Sequence, residues 1–462
     1  MSGFVRNSKY RHVFVDPPKK EETYTGFRLS TATGEQSYIK GNTKFFALAL
    51  QGGGGPVAIV DYKDKGHYKT GAPIIGGHKG AVLDLDFNPF HEHILASCSD
   101  DTTIKIWGIP QEGLTETISE PLVDLHGHGR KVTLIKFHPT ANSVLGSVSA
   151  DHTLKIWDIE KGCEIFSGET HPDLIQDIAW NYDGSYYATS CKDKIVRVGD
   201  PRANTTILEL KTPHEGAKST KLSFLGDKPQ FISVGFTRQS QRQLKMWDIR
   251  DTSKPAFKVD LDQAAGVIIP YYDVDTSILY LCGKGDGNIR YYEVNTENKR
   301  SPIFALSEYR STTAAKGCSF IPKRGLNVMA CETARCLKLV SQGGQGAVEP
   351  LSFIVPRKSD AFQEDIFPPT FNGNPAVTAD EWLAGASKFP PKSPLDPSLK
   401  GSIGLAADPT NAGGTTNSNN TKKPAFIPAK TPAQLQAELN LANKKIEILT
   451  KRLQDAGLSA DT

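Results

Sequence analysis

Ile104-Lys-Ile-Trp107-Gly-Ile, Leu154-Lys-Ile-Trp157-Asp-Ile and Leu244-Lys-Met-Trp247-Asp-Ile are three copies of one phrase in a chain of 462 residues. Each alternates apolar and polar side chains, as a strand with one buried face must. Weaker copies follow the same pattern: Ala58-Ile-Val60-Asp, Ile195-Val-Arg-Val-Gly199-Asp, Ile289-Arg-Tyr-Tyr292-Glu-Val and Leu337-Lys-Leu-Val340. The tryptophan-equivalent positions are therefore 60, 107, 157, 199, 247, 292 and 340, separated by 47, 50, 42, 48, 45 and 48 residues. A unit of this size cannot bury both of its faces alone, so the copies must pack on one another.

A period of about 45 with Gly-His ahead and Trp-Asp behind is the signature of the WD repeat, one four-stranded propeller blade per copy. The expected fold is all-β, a seven-bladed WD-repeat β-propeller. Gly77-His78 and Gly127-His128 each place the histidine 29 residues before Trp107 and Trp157, Asp101 and Asp151 sit six before, and Ser99 and Ser149 eight before. A buried imidazole needs partners for both nitrogens, so His78, Asp101, Ser99 and Trp107, and likewise His128, Asp151, Ser149 and Trp157, are read as polar networks of the core. Their recurrence once per repeat argues against a hydrolase triad, which is needed once. The next repeat keeps His171 and Asp193 but has Cys191 and Gly199, and the one after keeps His214 and Trp247 but has Gln241 where Asp is expected, so both networks should be incomplete.

A ring without a free edge is closed by strands from both chain ends. Lys9-Tyr-Arg-His-Val-Phe14 is expected to supply the outer strand of the last blade, with Leu351-Ser-Phe-Ile-Val355 as the rival. The propeller is assigned to residues 1–350. Residues 351–400 lack strand periodicity from Pro356 onward but carry Phe362, Ile366, Phe367, Phe371 and Trp382, and are expected to dock on one face of the ring. The Gly-, Asn-, Thr- and Pro-rich residues 401–430 read as a flexible linker. In 431–457, Leu435, Leu439, Ala442, Ile446, Leu449, Leu453 and Ala456 alternate spacings of four and three, the seam of a coiled coil, behind the start signal Thr431-Pro432. An isolated helix of that length is marginal in water, so self-association is expected; docking back on the propeller is the alternative.

Lys+Arg number 54 against 51 Asp+Glu, a net charge of +3 that argues against a nucleic-acid binder. The charge is uneven: residues 1–28 carry +3 and residues 421–456 carry +4, leaving 29–420 at −3. The seven cysteines, at 98, 163, 191, 282, 318, 331 and 336, form no CxxC pair and read as reduced, mostly buried thiols, so neither a disulfide framework nor a metal is expected. The start lacks the apolar core of a signal peptide and no later run is long enough to span a bilayer, which points to the cytosol. Gly52–Gly55 and Gly283–Gly287 do not match a phosphate-binding loop, so no enzyme and no cofactor are expected. Membrane contact through Lys19-Lys20 would be peripheral at most, since Glu21-Glu22 follow.

Several stretches resemble the coronins: Ser8-Lys-Tyr-Arg-His-Val-Phe14, Trp107-Gly-Ile-Pro-Gln-Glu-Gly-Leu114, Gly283-Lys-Gly-Asp-Gly-Asn-Ile-Arg-Tyr-Tyr292, Pro322-Lys-Arg-Gly325, Val355-Pro-Arg-Lys-Ser-Asp360 and Glu381-Trp-Leu. The resemblance, to a short single-propeller member, implies a propeller that binds filamentous actin at the cell cortex, a coiled coil that oligomerises, and regulation of the branch-nucleating complex of actin-related proteins and of filament turnover by cofilin. An arginine after the opening motif matters for filament binding in the family, and by position it corresponds to Arg28 in Tyr24-Thr-Gly-Phe-Arg-Leu-Ser30. Lys9, Arg11, Lys19 and Lys20 would extend an electrostatic contact around it. Lys445 and Thr450 stand where the family often has a charged trimer motif, so dimer, trimer and larger assemblies stay open. A WD-repeat adaptor for a complex without actin is the other reading, because the fold does not name the partner.

Overall fold

The computed structural model describes residues 8–298 and 300–399. The coiled-coil seam and the linker therefore lie outside the described residues. Seven antiparallel sheets follow one another along the chain, each a blade whose first strand lines the centre of the ring. Blade three is typical: Val132–Phe137, Val144–Ser149, Leu154–Asp158 and Cys163–Ser167 pair in order. Its second and third strands are in register with Leu145 opposite Trp157. Apolar side chains from adjacent blades meet between the sheets, as where Phe137, Leu145 and Trp157 of blade three share a cluster with Ala96, Ile104 and Ile106 of blade two.

Closure differs from the expectation in detail. Blade seven consists of Ala315–Phe320, Glu332–Gln342 and Gln345–Ile354, and the last of these pairs with two N-terminal strands, Phe14–Asp16 and Tyr24–Phe27. Phe14 faces Ile354, and Tyr24 faces Val348. The N-terminus does close the ring, but residues 9–12 are turn, and Leu351–Ile354 are the third strand rather than a rival for the fourth or the start of the extension. Val340 also lies on the second strand of its blade, whereas the other six tryptophan-equivalent positions lie on third strands. By its place in the strand pair, opposite Ala334, Phe353 takes the rung that Trp157 holds in blade three. The alternation in Leu337-Lys-Leu-Val340 is genuine, but it belongs to the neighbouring strand.

The repeat networks are chains of hydrogen bonds that start at the indole. The Trp107 indole N–H donates to Ser97 Oγ at 2.8 Å, Ser97 bonds His78 Nε2 at 2.8 Å, and His78 Nδ1 faces Asp101 Oδ2 at 2.9 Å. Blade three repeats this through Trp157, Ser147, His128 and Asp151 at 2.8, 2.8 and 3.0 Å. The linking hydroxyls thus belong to Ser97 and Ser147, not to Ser99 and Ser149. The two candidates in each blade are two residues apart and so share a strand face. Ser99 and Ser149 sit where the strand enters its turn, and their Oγ atoms accept the N–H of Asp101 and Asp151. In blade four, His171 reaches Thr189 at 3.1 Å, and Asp193 binds Arg197 instead. At Gly199 a Cβ would stand 2.6 Å from the Tyr187 hydroxyl, so a side chain there would force Tyr187 to shift. In blade five, Trp247 and His214 share Ser233, but His214 Nδ1, with Gln241 in place of the aspartate, has no partner.

After Ile354 the chain runs across the face formed by the loops between first and second strands. Ile366 and Phe367 are buried with Tyr10, Val13 and Phe353, and Phe362 packs beside them. Phe371 meets Phe90 at 6.0 Å between ring centres, and the Ala376 N–H donates to the Thr140 carbonyl. A five-residue helix, Ala379–Leu383, starts at Thr378, whose hydroxyl accepts from the Glu381 N–H while Glu381 accepts from the Thr378 N–H. This capping box aims Trp382 into the ring, where it is 1% exposed, lies 4.9 Å from the His138 ring and donates to the Gly184 carbonyl. Among the described residues no helix is long and apolar enough to cross a membrane.

Two measurements test this packing. Trp382→Ala should destabilise the chain by about 3–5 kcal/mol, the usual loss for a buried tryptophan, and should open residues 355–399 to limited proteolysis before the blades are cut. Burial pushes the His138 imidazole down to about 4, and burial with nearby Lys245 pushes His214 down to about 3. The unfolded chain takes up these protons first, from about pH 6.5 downward. Stability is therefore lost as pH falls from there towards 4 for His138 and 3 for His214. Between pH 7 and 5 each should cost about 2 kcal/mol in urea titrations, and His214→Gln should remove its share.

Candidate partner-binding face

The extension covers one face of the ring. The other face is built from the turns between second and third strands and from the connections that enter each blade. Arg28 lies on this second face. It follows the strand Tyr24–Phe27, whose Phe27 is buried and pairs with Gly346 at the beginning of the strand Gln345–Ile354. Its backbone is held on both sides: the Gln51 N–H donates to the Arg28 carbonyl at 2.8 Å, and the Ser30 N–H donates to Ala49. Its side chain is exposed. The residues that follow cross the mouth of the ring, where Glu35 meets Lys221 at 3.2 Å and Lys284 donates to the Gly34 and Gln36 carbonyls.

The other basic residues do not gather around Arg28. Lys9 and Arg11 are exposed near the opposite end of the same strand pair, with Lys9 donating to the Asp365 carbonyl of the extension at 3.0 Å. The eight residue-to-residue steps from Gly346 to Ile354 separate the two ends by roughly 26 Å at the usual rise per residue. Lys19 and Lys20 stand between them on the outer rim, exposed beside the short 3-10 turn Lys20–Glu22. One contiguous site of five basic side chains is therefore replaced by three separate locations. The expectation grouped them because they are close in sequence, but two strands carry the chain from one face to the other between residues 14 and 28.

The face of Arg28 instead presents basic groups that sequence reading passed over. Lys79 follows His78, and Arg130 and Lys131 follow His128 by two and three residues, all exposed. The backbone N–H of Lys79 donates to Asp101 at 2.7 Å, and that of Gly129 to Asp151 at 2.9 Å, so the carboxylates that hold the imidazoles also fix these loops. Burial opposes charge on both aspartates, yet the bonds from His78 and Thr103, and from Thr153, Gly129 and His128, hold them well below the usual carboxylate range. Lys131 lies 3.9 Å from Asp100, a loose surface pair. The signal was available: once the Gly-His histidine points inward, the residues after it must be displayed on this face.

Residues 72–108, 119–158 and 162–200 match the WD domain, G-beta repeat; residues 348–390 match a further type of WD40 repeat, and residues 3–67 match a domain of unknown function. The chain is 48% identical over 391 residues to Coronin-A of Dictyostelium discoideum, covering 84% of this chain and 86% of that protein. It is 43% identical over 386 residues to human Coronin-2B, covering 83% and 79%, and 40% identical over 391 residues to human Coronin-2A, covering 83% and 73%. The crystal structure of the WD40 domain of Toxoplasma gondii coronin superposes with a TM-score of 0.79 at 31% identity, covering 84% of this chain and 98% of that one. A ring closed by its own N-terminus, a capped extension over one face and identity of this extent together place the chain in the coronin family.

Proposed function

We propose that this coronin is an actin-filament-binding protein whose uncovered face, centred on Arg28, contacts the filament, and that it acts as a binding scaffold without catalytic turnover or cofactor. The observation that carries the reading is the setting of Arg28: an exposed guanidinium on clamped backbone, on the face that the extension leaves open. A filament surface is acidic, and arginine pairs with carboxylates through two parallel hydrogen bonds. Lys79, Arg130 and Lys131 widen the contact; Lys9 and Arg11, on the far face, drop out of it. Self-association through residues 431–457 would join several modest contacts on a repeating filament and crosslink neighbours. Regulation of the actin-related-protein nucleating complex and of cofilin-driven turnover at the cell cortex belongs to the same reading, supported by family membership.

Filament cosedimentation tests it. Arg28→Asp should weaken binding at least about tenfold, about 1.4 kcal/mol, with thermal melting unchanged, and Lys131→Glu should weaken it less. Rising salt should weaken wild-type binding more than that of Arg28→Asp. Unchanged binding by Arg28→Asp removes that residue from the site, and absence of wild-type binding at low salt favours the scaffold for a complex without actin. Deleting residues 431–462 should yield monomers that still bind filaments but no longer bundle them; a full-length protein that sediments as a monomer would sink the crosslinking step.

A further inference from the structure

Three cysteines far apart in sequence meet between blades six and seven. Cys282 lies on Ile278–Gly283, the second strand of blade six, while Cys318 and Cys336 lie on Ala315–Phe320 and Glu332–Gln342, the first two strands of blade seven. Their sulfurs all lie within 4.8 Å of one another, and the residues are 2%, 4% and 0% exposed. Tyr280, Tyr291, Leu351 and Phe353 belong to the same apolar cluster, and among the described residues no imidazole or carboxylate joins the three thiols.

We infer that this triad is a binding site for a soft, thiophilic metal ion, with Cu(I) the best-matched occupant. Three sulfurs around one ion at an ordinary metal–thiolate bond length of about 2.3 Å stand about 4 Å apart, a spacing the strands already approach. Thiolates select soft ions such as Cu(I) and zinc, but structural zinc takes four ligands and this set offers three. Between Cys318 and Cys336 a disulfide fits less well. Cys318 faces Lys338, so Cys336 is its diagonal neighbour across the strand pair. Such neighbours have Cα atoms about 7–8 Å apart, beyond the roughly 6.8 Å that a disulfide spans without backbone movement.

Charge supplies an independent argument. Each cysteine has a lysine two residues away along its chain: Lys284, Lys316 and Lys338. On the strand Glu332–Gln342 that spacing puts Cys336 and Lys338 on one side, while Lys284 lies in the turn after its strand and Lys316 at a break in register between Ala315 and Gly317. Lys284 donates to the carbonyls of Gly34 and Gln36, Lys316 to that of Ser30 and Lys338 to that of Thr313. Lys338 lies 3.7 Å from the Glu349 carboxylate. A tris-thiolate complex of a monovalent ion is a dianion, a charge that the neighbouring half-buried Lys284 and buried Lys338 favour. Metal exchange releases the thiol protons to solvent and changes no oxidation state.

The test uses the reduced full-length chain titrated with Cu(I) against a coloured Cu(I) chelator. A single equivalent should be withheld from the chelator, and X-ray absorption of the loaded protein should show three sulfur ligands. Cys318→Ser and Cys282→Ser should each lose at least about tenfold in affinity, the lower end of what even an outer-shell change costs a metal site. The exposed-thiol variant Cys163→Ser and the buried Cys98→Ser should retain it, so a folding defect in one triad variant leaves the other and the spectrum of the wild type to decide. Failure to compete with the chelator, nitrogen or oxygen ligation in the spectrum, unchanged affinity in both triad variants, or a mass showing a disulfide within the triad overturns the inference.

Discussion

The pairing of Gln345–Ile354 with the two N-terminal strands is the interaction on which the rest of the molecule depends. Without it the third strand of blade seven has a bare edge, and blade six has no completed neighbour on one side. The consequences reach past the sheet. Tyr291 of blade six donates to the Val13 carbonyl at 3.1 Å, and Tyr10 donates to the Ile366 carbonyl at 3.2 Å. One short N-terminal segment thereby ties the closing blade, its neighbour and the extension into a single apolar cluster.

Away from the closure the ring tolerates uneven parts. Blades two and three carry the full chain of indole, hydroxyl, imidazole and carboxylate, blade five lacks the carboxylate, and blade four has Gly199 in place of the indole-bearing residue. Repeats that touch only their neighbours add their stabilities roughly independently. A weak network in one blade is then offset by the apolar contacts on its two sides. The intact networks do more than stabilise, because Asp101 and Asp151 also fix the loops that display Lys79, Arg130 and Lys131.

What the sequence revealed follows from what periodicity can encode. Six of seven phrases marked third strands because alternation recurs there, in three of them with a terminal tryptophan; in blade seven the aromatic is Phe353, and alternation alone pointed one strand too early. Ser97 and Ser99 share a face, so only their depth along the strand separates the network member from the turn member. Ile366, Phe367 and Trp382 announced docking, but their partners, among them His138 and Tyr10, come from distant parts of the propeller sequence. Basic residues near one another in the first 28 positions were separated by the thickness of a blade, and residues 282, 318 and 336 were joined by the stacking of two blades. Neither outcome is written in local spacing.

The strand Gln345–Ile354 also sets a temporal order. A ribosome makes Arg28 early, yet the partner strand that holds its flank appears more than three hundred residues later. During most of its synthesis the chain has the residue but not its platform. The molecule becomes able to present that surface only when nearly its whole propeller exists, so a truncated product ending before residue 345 would carry the arginine without the shape that displays it.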